Sequence, residues 1–241
     1  MTPFRFFALL ALFSVVALAE PPAVSPTSIL EQYTKAATDP HRKLRAATME
    51  MEIEASLPRL KKSGRLRALR RISDLGRITY EALRFEGDNT VKKGVIARYL
   101  NAEVKASEPD DKKESLAVTP ENYKFKYKGE RDLDGRRAHL FEVKPRKKRV
   151  GLYKGELWLD AGTCLPLRES GRFVKNPSIF LKRVEFVRDY EIRDGMSIPR
   201  QIRSTVSTRL VGKAELLIRY SEPSLESDWE MLPASYLGSA Y

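Results

Sequence analysis

Apolar and polar residues alternate strictly in several stretches of this chain, and this pattern limits its possible folds more than any other property of the sequence. Between residues 49 and 57, Met, Ile, Ala and Leu take every second position, and Glu or Ser fill the positions between. The pattern recurs over 123–128, 184–192 and 210–220, although Arg188 falls on the apolar phase of its stretch. Successive strand side chains point to opposite faces, so each stretch predicts one buried face and one wet face. Such strands are typical of antiparallel sheets, and a mainly β (α+β) protein is predicted.

Turn residues separate these strand-like stretches. Asp134-Gly135, Asp194-Gly195 and Ala161-Gly162 each lie between two of them, as hairpin connections require. Pro166 and Pro199 are expected near strand ends or edges, where a missing amide donor is tolerated. Consecutive hairpins without a break in composition predict one continuous domain.

Two segments have helical spacing instead. The first is predicted to begin at Ser28, which forms a capping-box pair with Glu31, and to end at Asp39-Pro40. The second covers about 90–107, and the polar residues 106–121 after it are expected to form a mobile loop or a short-helix connection.

The N-terminus has the three parts of a secretory signal peptide. Arg5 supplies a positive charge, an apolar run follows, and Ala17-Leu18-Ala19 is a small-x-small cleavage site. We therefore expect residues 1–19 to be removed after Ala19 and the mature chain to be exported. Its apolar run is shorter than the roughly 20 residues that a membrane anchor needs.

The mature chain is predicted to have three parts. Residues 20–26 contain three prolines and are expected to form an extended linker, 27–224 to form the single domain, and 225–241 to form a C-terminal tail.

The chain is strongly basic. Its formal charge is +12, and removal of the signal peptide with Arg5 leaves +11. An exported protein meets anionic lipid and acidic envelope polymers, so a membrane surface is expected as partner and nucleic acid is not. Candidate contacts with an anionic surface form two clusters, which are Arg65, Arg67, Arg70 and Arg71, and Lys147, Lys148 and Arg149. The alternative is a solvated hairpin whose basic edges discourage pairing with another sheet.

No pattern for catalysis or metal binding stands out. His41 and His139 have no neighbouring His or Cys at ligand spacing, so neither a metal site nor a cofactor is expected. Cys164 is expected to be an unpaired turn thiol, and the paired acids resemble solvated positions. We therefore expect no enzyme, and a hydrolase using Cys164 or acids is the remaining alternative.

Residues 155–168 carry a family resemblance. Trp158-Leu159-Asp160 followed by Leu165-Pro166 resembles a strand–turn–strand signature of the periplasmic lipoprotein-carrier superfamily, with Cys164 where glycine is common. Residues 129–144 resemble the strand pair before it. The resemblance implies a curved antiparallel sheet that forms an incomplete β-barrel in the periplasm, with a few helices covering an apolar cavity on one side.

The resemblance leads to two hypotheses about function. The first is a non-enzymatic periplasmic protein that holds a lipid or lipoprotein acyl chain in the half-barrel, as in outer-membrane lipoprotein sorting. The second is a cell-envelope protein-interaction or stress-sensing module without lipid transport, which would bind an envelope protein. Candidate ligand-binding residues are Trp158, Phe186, Tyr190, Leu216 and Ile218. Ordinary core packing is the alternative for the last four, and packing under a loop or helix is the alternative for Trp158.

Overall fold

The computed structural model describes residues 25–38, 46–108, 116–176, 181–209 and 212–225. The signal peptide, most of the linker, the end of the first helix at Asp39-Pro40, His41 and nearly all of the C-terminal tail lie outside these residues. Predictions made for those segments stay predictions.

The described chain contains three α-helices and eleven strands. The helices are α1 (Pro26–Thr38), α2 (Asn89–Val91) and α3 (Ala97–Ser107), and a π-helical turn (Lys92–Ile96) joins α2 to α3. The strands are β1 (Ala47–Leu57), β2 (Lys62–Ile72), β3 (Ile78–Gly87), β4 (Tyr123–Leu133), β5 (Arg136–Pro145), β6 (Tyr153–Asp160), β7 (Pro166–Phe173), β8 (Leu181–Arg193), β9 (Met196–Thr208), β10 (Lys213–Tyr220) and β11 (Ser224–Leu225).

All the strands belong to one antiparallel sheet. Its order is β3-β2-β1-β10-β9-β8-β7-β6-β5-β4, and the short β11 pairs with β1. The path ends at β3 and β4, which do not pair with one another in the described part of the chain. The predicted fold class is confirmed, because the sheet is open and consistent with an incomplete barrel.

The helices and strands bury two separate apolar clusters on one face of the sheet, which we call the inner face. The first cluster packs α2, the π-helical turn and α3 against β1, β2 and β10. The second packs Ile29 and Tyr33 of α1 against β4, β5 and β6. Side chains that are at most 2% exposed anchor both clusters, and they include Ile53 and Ile218 in the first and Phe141 and Leu157 in the second.

The hairpin predictions are confirmed. Asp134-Gly135 joins β4 to β5, Asp194-Gly195 joins β8 to β9, and all four residues have positive φ between 48° and 84°. Two-residue turns of this type need a left-handed backbone at both positions, which Asp and Gly tolerate. Pro166 begins β7, and Pro199 lies near the start of β9, before the pairing with β10 begins at Gln201.

The first helix begins earlier than predicted. It starts at Pro26, and the Ser25 hydroxyl accepts a hydrogen bond from the Ser28 amide at 3.1 Å. The expected Ser28–Glu31 capping box is therefore wrong, because Ser25 takes the capping role. Proline suits the first helical position since its missing amide hydrogen would have no partner there. The second helical prediction is confirmed by the run from Asn89 to Ser107.

Two glycines bring β6 and β7 unusually close together. Gly155 and Gly171 are register partners, and a methyl group on Gly155 would lie 1.9 Å from the Ser170 carbonyl oxygen. The Tyr153 ring passes beside Gly171 and packs edge-on against Phe186, with ring centroids 4.9 Å apart. Glycine is therefore required here, because any larger residue would separate the two strands.

Candidate functional site

Three of the predicted ligand-binding residues lie inside the packed clusters. Leu216 and Ile218 belong to the first cluster and are 7% and 0% exposed, whereas Phe186 belongs to the second and is 7% exposed. Their burial matches the alternative interpretation of these positions as ordinary core. Tyr190 differs from them because it is only half-buried.

Trp158 lies on the opposite face from the other four candidates. Leu157 and Leu159 point into the second cluster, and Trp158 between them points outward, opposite Leu140 and Arg168 in the register. Its indole N–H donates to the Glu156 carboxylate at 3.2 Å. Trp158 therefore does not contribute to a site on the inner face.

In the part of the chain that the structure describes, the inner face is only partly covered between the two clusters. We call this strip the seam, and we define it as Glu169 on β7, Arg188 and Tyr190 on β8, and Ile202 and Ser204 on β9. Apart from Glu169, which is 7% exposed, its residues are half-buried. Ile202 packs against the first cluster. The seam therefore lies on the strip of the sheet that α1 on one side and α2 with α3 on the other leave accessible.

The seam contains an ion pair between Arg188 and Glu169. Arg188 Nη1 donates to Glu169 Oε2 at 3.1 Å and to the Tyr190 hydroxyl at 3.3 Å. The Arg188 side chain is 39% exposed and its guanidinium lies 5.6 Å from the centre of the Phe186 ring. The neighbouring Tyr190 and Glu169 raise the pKa of Arg188, so it stays charged. The seam is therefore amphipathic, with a fixed cation among aromatic and aliphatic groups.

One tyrosine from α1 and one from α3 lie near this ion pair. Burial raises the pKa of Tyr33 on α1, and the charge of Glu169 raises it further. Burial likewise raises the pKa of Tyr99 on α3, whose hydroxyl is 3.3 Å from that of Tyr220. These phenols stay protonated at neutral pH and surround the seam with neutral polar groups.

Sequence reasoning did not identify Glu169 and Arg188 as a pair. The available signal was the position of Arg188 on the apolar phase of its stretch. A charged residue on a buried face needs a partner, but only the β7–β8 register shows that Glu169 lies directly opposite.

The predicted arginine cluster on β2 is largely paired with acidic residues. Arg65 bonds to Glu54 at 3.1 Å, Arg67 to Glu52 at 2.9 Å, and Arg71 lies 3.7 Å from a carboxylate oxygen of Glu81. Alternation along β1 puts Glu52 and Glu54 directly opposite the first two of these arginines in the sheet. Local pairing therefore offsets most of the positive charge of this stretch.

Arg70 lies beneath α3 rather than on the surface with the other arginines. It is 9% exposed, and its Nε and Nη2 donate to Glu103 Oε1 at 3.0 and 2.7 Å. The Tyr80 hydroxyl donates to the other Glu103 oxygen at 2.5 Å. Arg70 thus joins α3 to β2 and β3 through one carboxylate.

The second predicted basic cluster lies in the connection between β5 and β6. Lys147 and Lys148 are exposed there, whereas Arg149 is half-buried and donates to the Asn122 side chain at 2.9 Å. The two predicted clusters therefore differ, since only the second presents lysines on an exposed loop.

A groove of about 810 Å³ opens on the outer face across β4 to β9. Its lining includes Lys128 and Glu142, which form a 3.1 Å ion pair, and Lys154, Arg172 and Glu185. Mixed charges make this groove unsuited to shielding an acyl chain, because each charge would have to lose water.

The described residues contain little for covalent chemistry. Cys164 is 3% exposed, its Sγ lies 3.4 Å from a Gln32 side-chain oxygen, and burial together with Asp160 raises its pKa. His139 is also buried, with its Nδ1 3.1 Å from the Tyr127 hydroxyl. Within the described ranges, no cluster of His, Cys, Asp or Glu could hold a metal ion, and none of the helices could cross a membrane.

Comparison with known proteins gave matches among solved structures alone. No family model and no curated protein matches the sequence. A LolA superfamily protein from Nitrosomonas europaea is 15% identical, with 90% of this chain and 99% of that chain covered and a TM-score of 0.42. A DUF1329 family protein from Desulfovibrio piger is 16% identical (86% and 96% covered, TM-score 0.45). A putative outer membrane lipoprotein-sorting protein domain from Vibrio parahaemolyticus is 13% identical (87% and 95% covered, TM-score 0.41). Each of these three matches covers at least 86% of this chain and at least 95% of the other chain.

Proposed function

We propose that this protein is a non-enzymatic binding protein of the cell envelope that holds a lipid or lipoprotein acyl chain at the seam. The observation that carries the proposal is the half-exposed inner face between two helix-covered clusters. The signal-peptide pattern supports an exported, periplasmic location.

The chemistry of the seam suits an amphiphile. An acyl chain would gain about 0.8 kcal/mol for each CH₂ that it buries against Ile202 and the flanking aromatic rings. Arg188 has guanidinium N–H groups beyond the one that bonds to Glu169, and these could donate to an ester or amide carbonyl at the head of the chain. The expected ligand therefore combines an apolar tail with a hydrogen-bond acceptor.

Native mass spectrometry of the chain from residue 20 onward tests this proposal. The protein is stripped of lipid, refolded and incubated with a diacyl phospholipid, and we expect a bound lipid peak. Ile202→Lys introduces a charge into the seam and should abolish that peak. Val187→Lys introduces the same charge on the outer face of the neighbouring strand and should leave the peak intact.

Two results would count against the proposal. Equal loss of lipid in both variants, with native circular dichroism retained, would place the ligand elsewhere. Absence of lipid uptake by the unmodified chain would favour the alternative of a protein-interaction or stress-sensing module, particularly if a stoichiometric envelope protein were isolated with it.

A further inference from the structure

The hairpin connections at the two ends of the sheet differ in charge. At one end lie the hairpin connections β1–β2, β5–β6, β7–β8 and β9–β10, and their described residues (58–61, 146–152, 174–176, 209 and 212) include eight Lys or Arg and no Asp or Glu. The four hairpin connections at the other end contain three acids, Asp74, Asp134 and Asp194, and the single base Arg77. Strand pairing sets this asymmetry, because antiparallel connections alternate between the two ends.

Four further cations on the outer face adjoin these connections. Lys124 on β4 is the register partner of Lys144 on β5, and Lys154 on β6 is the partner of Arg172 on β7. All four are exposed, and none forms an ion pair with another described residue. We call these four residues and the eight cations of the connections the basic end.

The pairing of Lys124 with Lys144 is unfavourable for the isolated protein, and so is that of Lys154 with Arg172, which Glu185 on β8 offsets in part as the other register partner of Arg172. Like charges directly opposite one another in a sheet are destabilising. Lysines on an edge strand prevent pairing with other sheets, which could explain Lys124 on β4. That explanation does not cover Lys144, Lys154 and Arg172, since β5, β6 and β7 lie inside the sheet. An anionic partner would remove the repulsion.

Exposed apolar residues lie among these cations. Leu60 in the β1–β2 connection is 40% exposed and Val150 in the β5–β6 connection is 43% exposed. Leu116, also 40% exposed, lies against Gly151 beside Val150. The nearest strands of these two connections, β1 and β6, are five strand spacings apart, which is about 24 Å along the sheet at about 4.8 Å per strand. An extended, flat partner is best able to contact both.

We infer that the basic end docks this protein onto an anionic phospholipid bilayer. Cations attracted to acidic head groups, together with apolar side chains that enter the interfacial region, are the combination by which peripheral proteins bind membranes. The paired arginines of β2 contribute less to this docking, because Glu52, Glu54 and Glu81 already neutralise them. The basic end is a different surface from the seam, and its docking does not depend on acyl-chain binding.

Vesicle co-sedimentation of the chain from residue 20 onward tests the docking surface. We expect binding to vesicles that contain about a third phosphatidylglycerol and little binding to pure phosphatidylcholine. The triple variant Lys61→Asn, Lys148→Gln, Lys175→Gln removes three exposed cations of the basic end. Each cation lost should weaken binding about fivefold, so the triple variant should bind about a hundredfold more weakly.

A matched variant removes the same charge from another part of the protein. Arg65→Gln, Arg67→Gln, Arg219→Gln lowers the net charge by three at residues that are paired with Glu52 and Glu54, and it should change binding by less than about fivefold. Equal loss in the two triple variants would overturn the inference, since binding would then depend on net charge alone. Absence of binding to the anionic vesicles would overturn it as well.

The contribution of the exposed apolar side chains to binding distinguishes docking onto a bilayer from binding to a soluble acidic partner. Leu60→Ser with Val150→Ser should weaken vesicle binding, whereas Leu75→Ser should not, because Leu75 is 73% exposed in a connection at the opposite end. Tight binding to polyglutamate, together with unchanged vesicle binding by the Leu60/Val150 variant, would identify an acidic polypeptide as the partner and refute docking to a bilayer.

Discussion

Replacement of Arg70 by methionine should destabilise the protein far more than replacement of a neighbouring arginine. Arg70 and Glu103 have side chains that are only 11% and 19% exposed, and Glu103 has no other cation bonded to it in the described chain. Arg70→Met retains much of the side-chain volume but leaves the carboxylate of Glu103 beneath α3 without its counter-ion. The remaining partner is the Tyr80 hydroxyl, which carries no charge.

The expected cost follows from this burial. Breaking a fully buried ion pair by removing one partner costs about 3–5 kcal/mol. Residual access of water to Glu103 lowers that figure, so we expect a loss of about 2–4 kcal/mol in the free energy of unfolding. Arg67→Met breaks the 2.9 Å pair with Glu52, but its side chain is 66% exposed, and the loss there should be at most about 1 kcal/mol.

Urea unfolding followed by circular dichroism measures both losses. The double variant Arg70→Met, Glu103→Gln should recover at least half of the stability lost in the single variant, because the neutral amide that replaces the carboxylate needs no counter-ion and can still accept from Tyr80. A loss below about 1 kcal/mol for Arg70→Met, or a double variant no more stable than the single one, would refute this account of the Arg70–Glu103 pair.

Three further properties can be tested, which are the space around two glycines, the ionisation of buried tyrosines and the accessibility of Cys164. Gly155→Ala should lower stability by about 3 kcal/mol because its methyl group would collide with β7, whereas Gly94→Ala, with open space around it in the helical turn, should raise it by up to about 1 kcal/mol; thermal unfolding compares the two. Burial raises the pKa of Tyr80 and Tyr190, so protonated phenols favour the folded state. Stability should therefore be constant below the unfolded tyrosine pKa of about 10 and fall above it, with phenolate absorbance rising together with loss of near-ultraviolet circular dichroism. Phenolate formation by every tyrosine near pH 10 in a folded protein would contradict this. Cys164 should react with a thiol reagent slowly in the native protein and at once in denaturant, since it is buried with a raised pKa; rapid native reaction would argue for an open site.

Local pattern was sufficient to predict the strands and the turns. The alternation in residues 49–57 matches β1, and the Asp-Gly pairs at 134–135 and 194–195 occupy their hairpins, because both signals depend on neighbours in sequence. The cap of α1 was predicted three residues too late. Ser25 and Ser28 are both capable caps, and the backbone path that selects Ser25 is not encoded by residue type alone.

The candidate site was harder to predict, because the burial of a side chain and its partner on the next strand depend on how the strands pair. Alternation placed Phe186, Leu216 and Ile218 on an apolar face, but it could not distinguish packed core from accessible seam. The β2 arginines looked like a uniform basic stretch in sequence. In the sheet, three of them meet acids of β1 and β3 on neighbouring strands and Arg70 enters the interior, so acidic neighbours offset most of their positive charge.

The sequence alone establishes half-buried antiparallel strands joined by tight turns, since side-chain period and turn chemistry act over a few residues. It also determined the excess of positive charge. Strand register and helix packing, which local patterns do not contain, set where the positive charge gathers and where the described part of the inner face is accessible. Lys124 and Lys144 lie far apart in the chain and meet only through the register of β4 and β5. Arg188 and Glu169 likewise become a pair only because β7 and β8 align them.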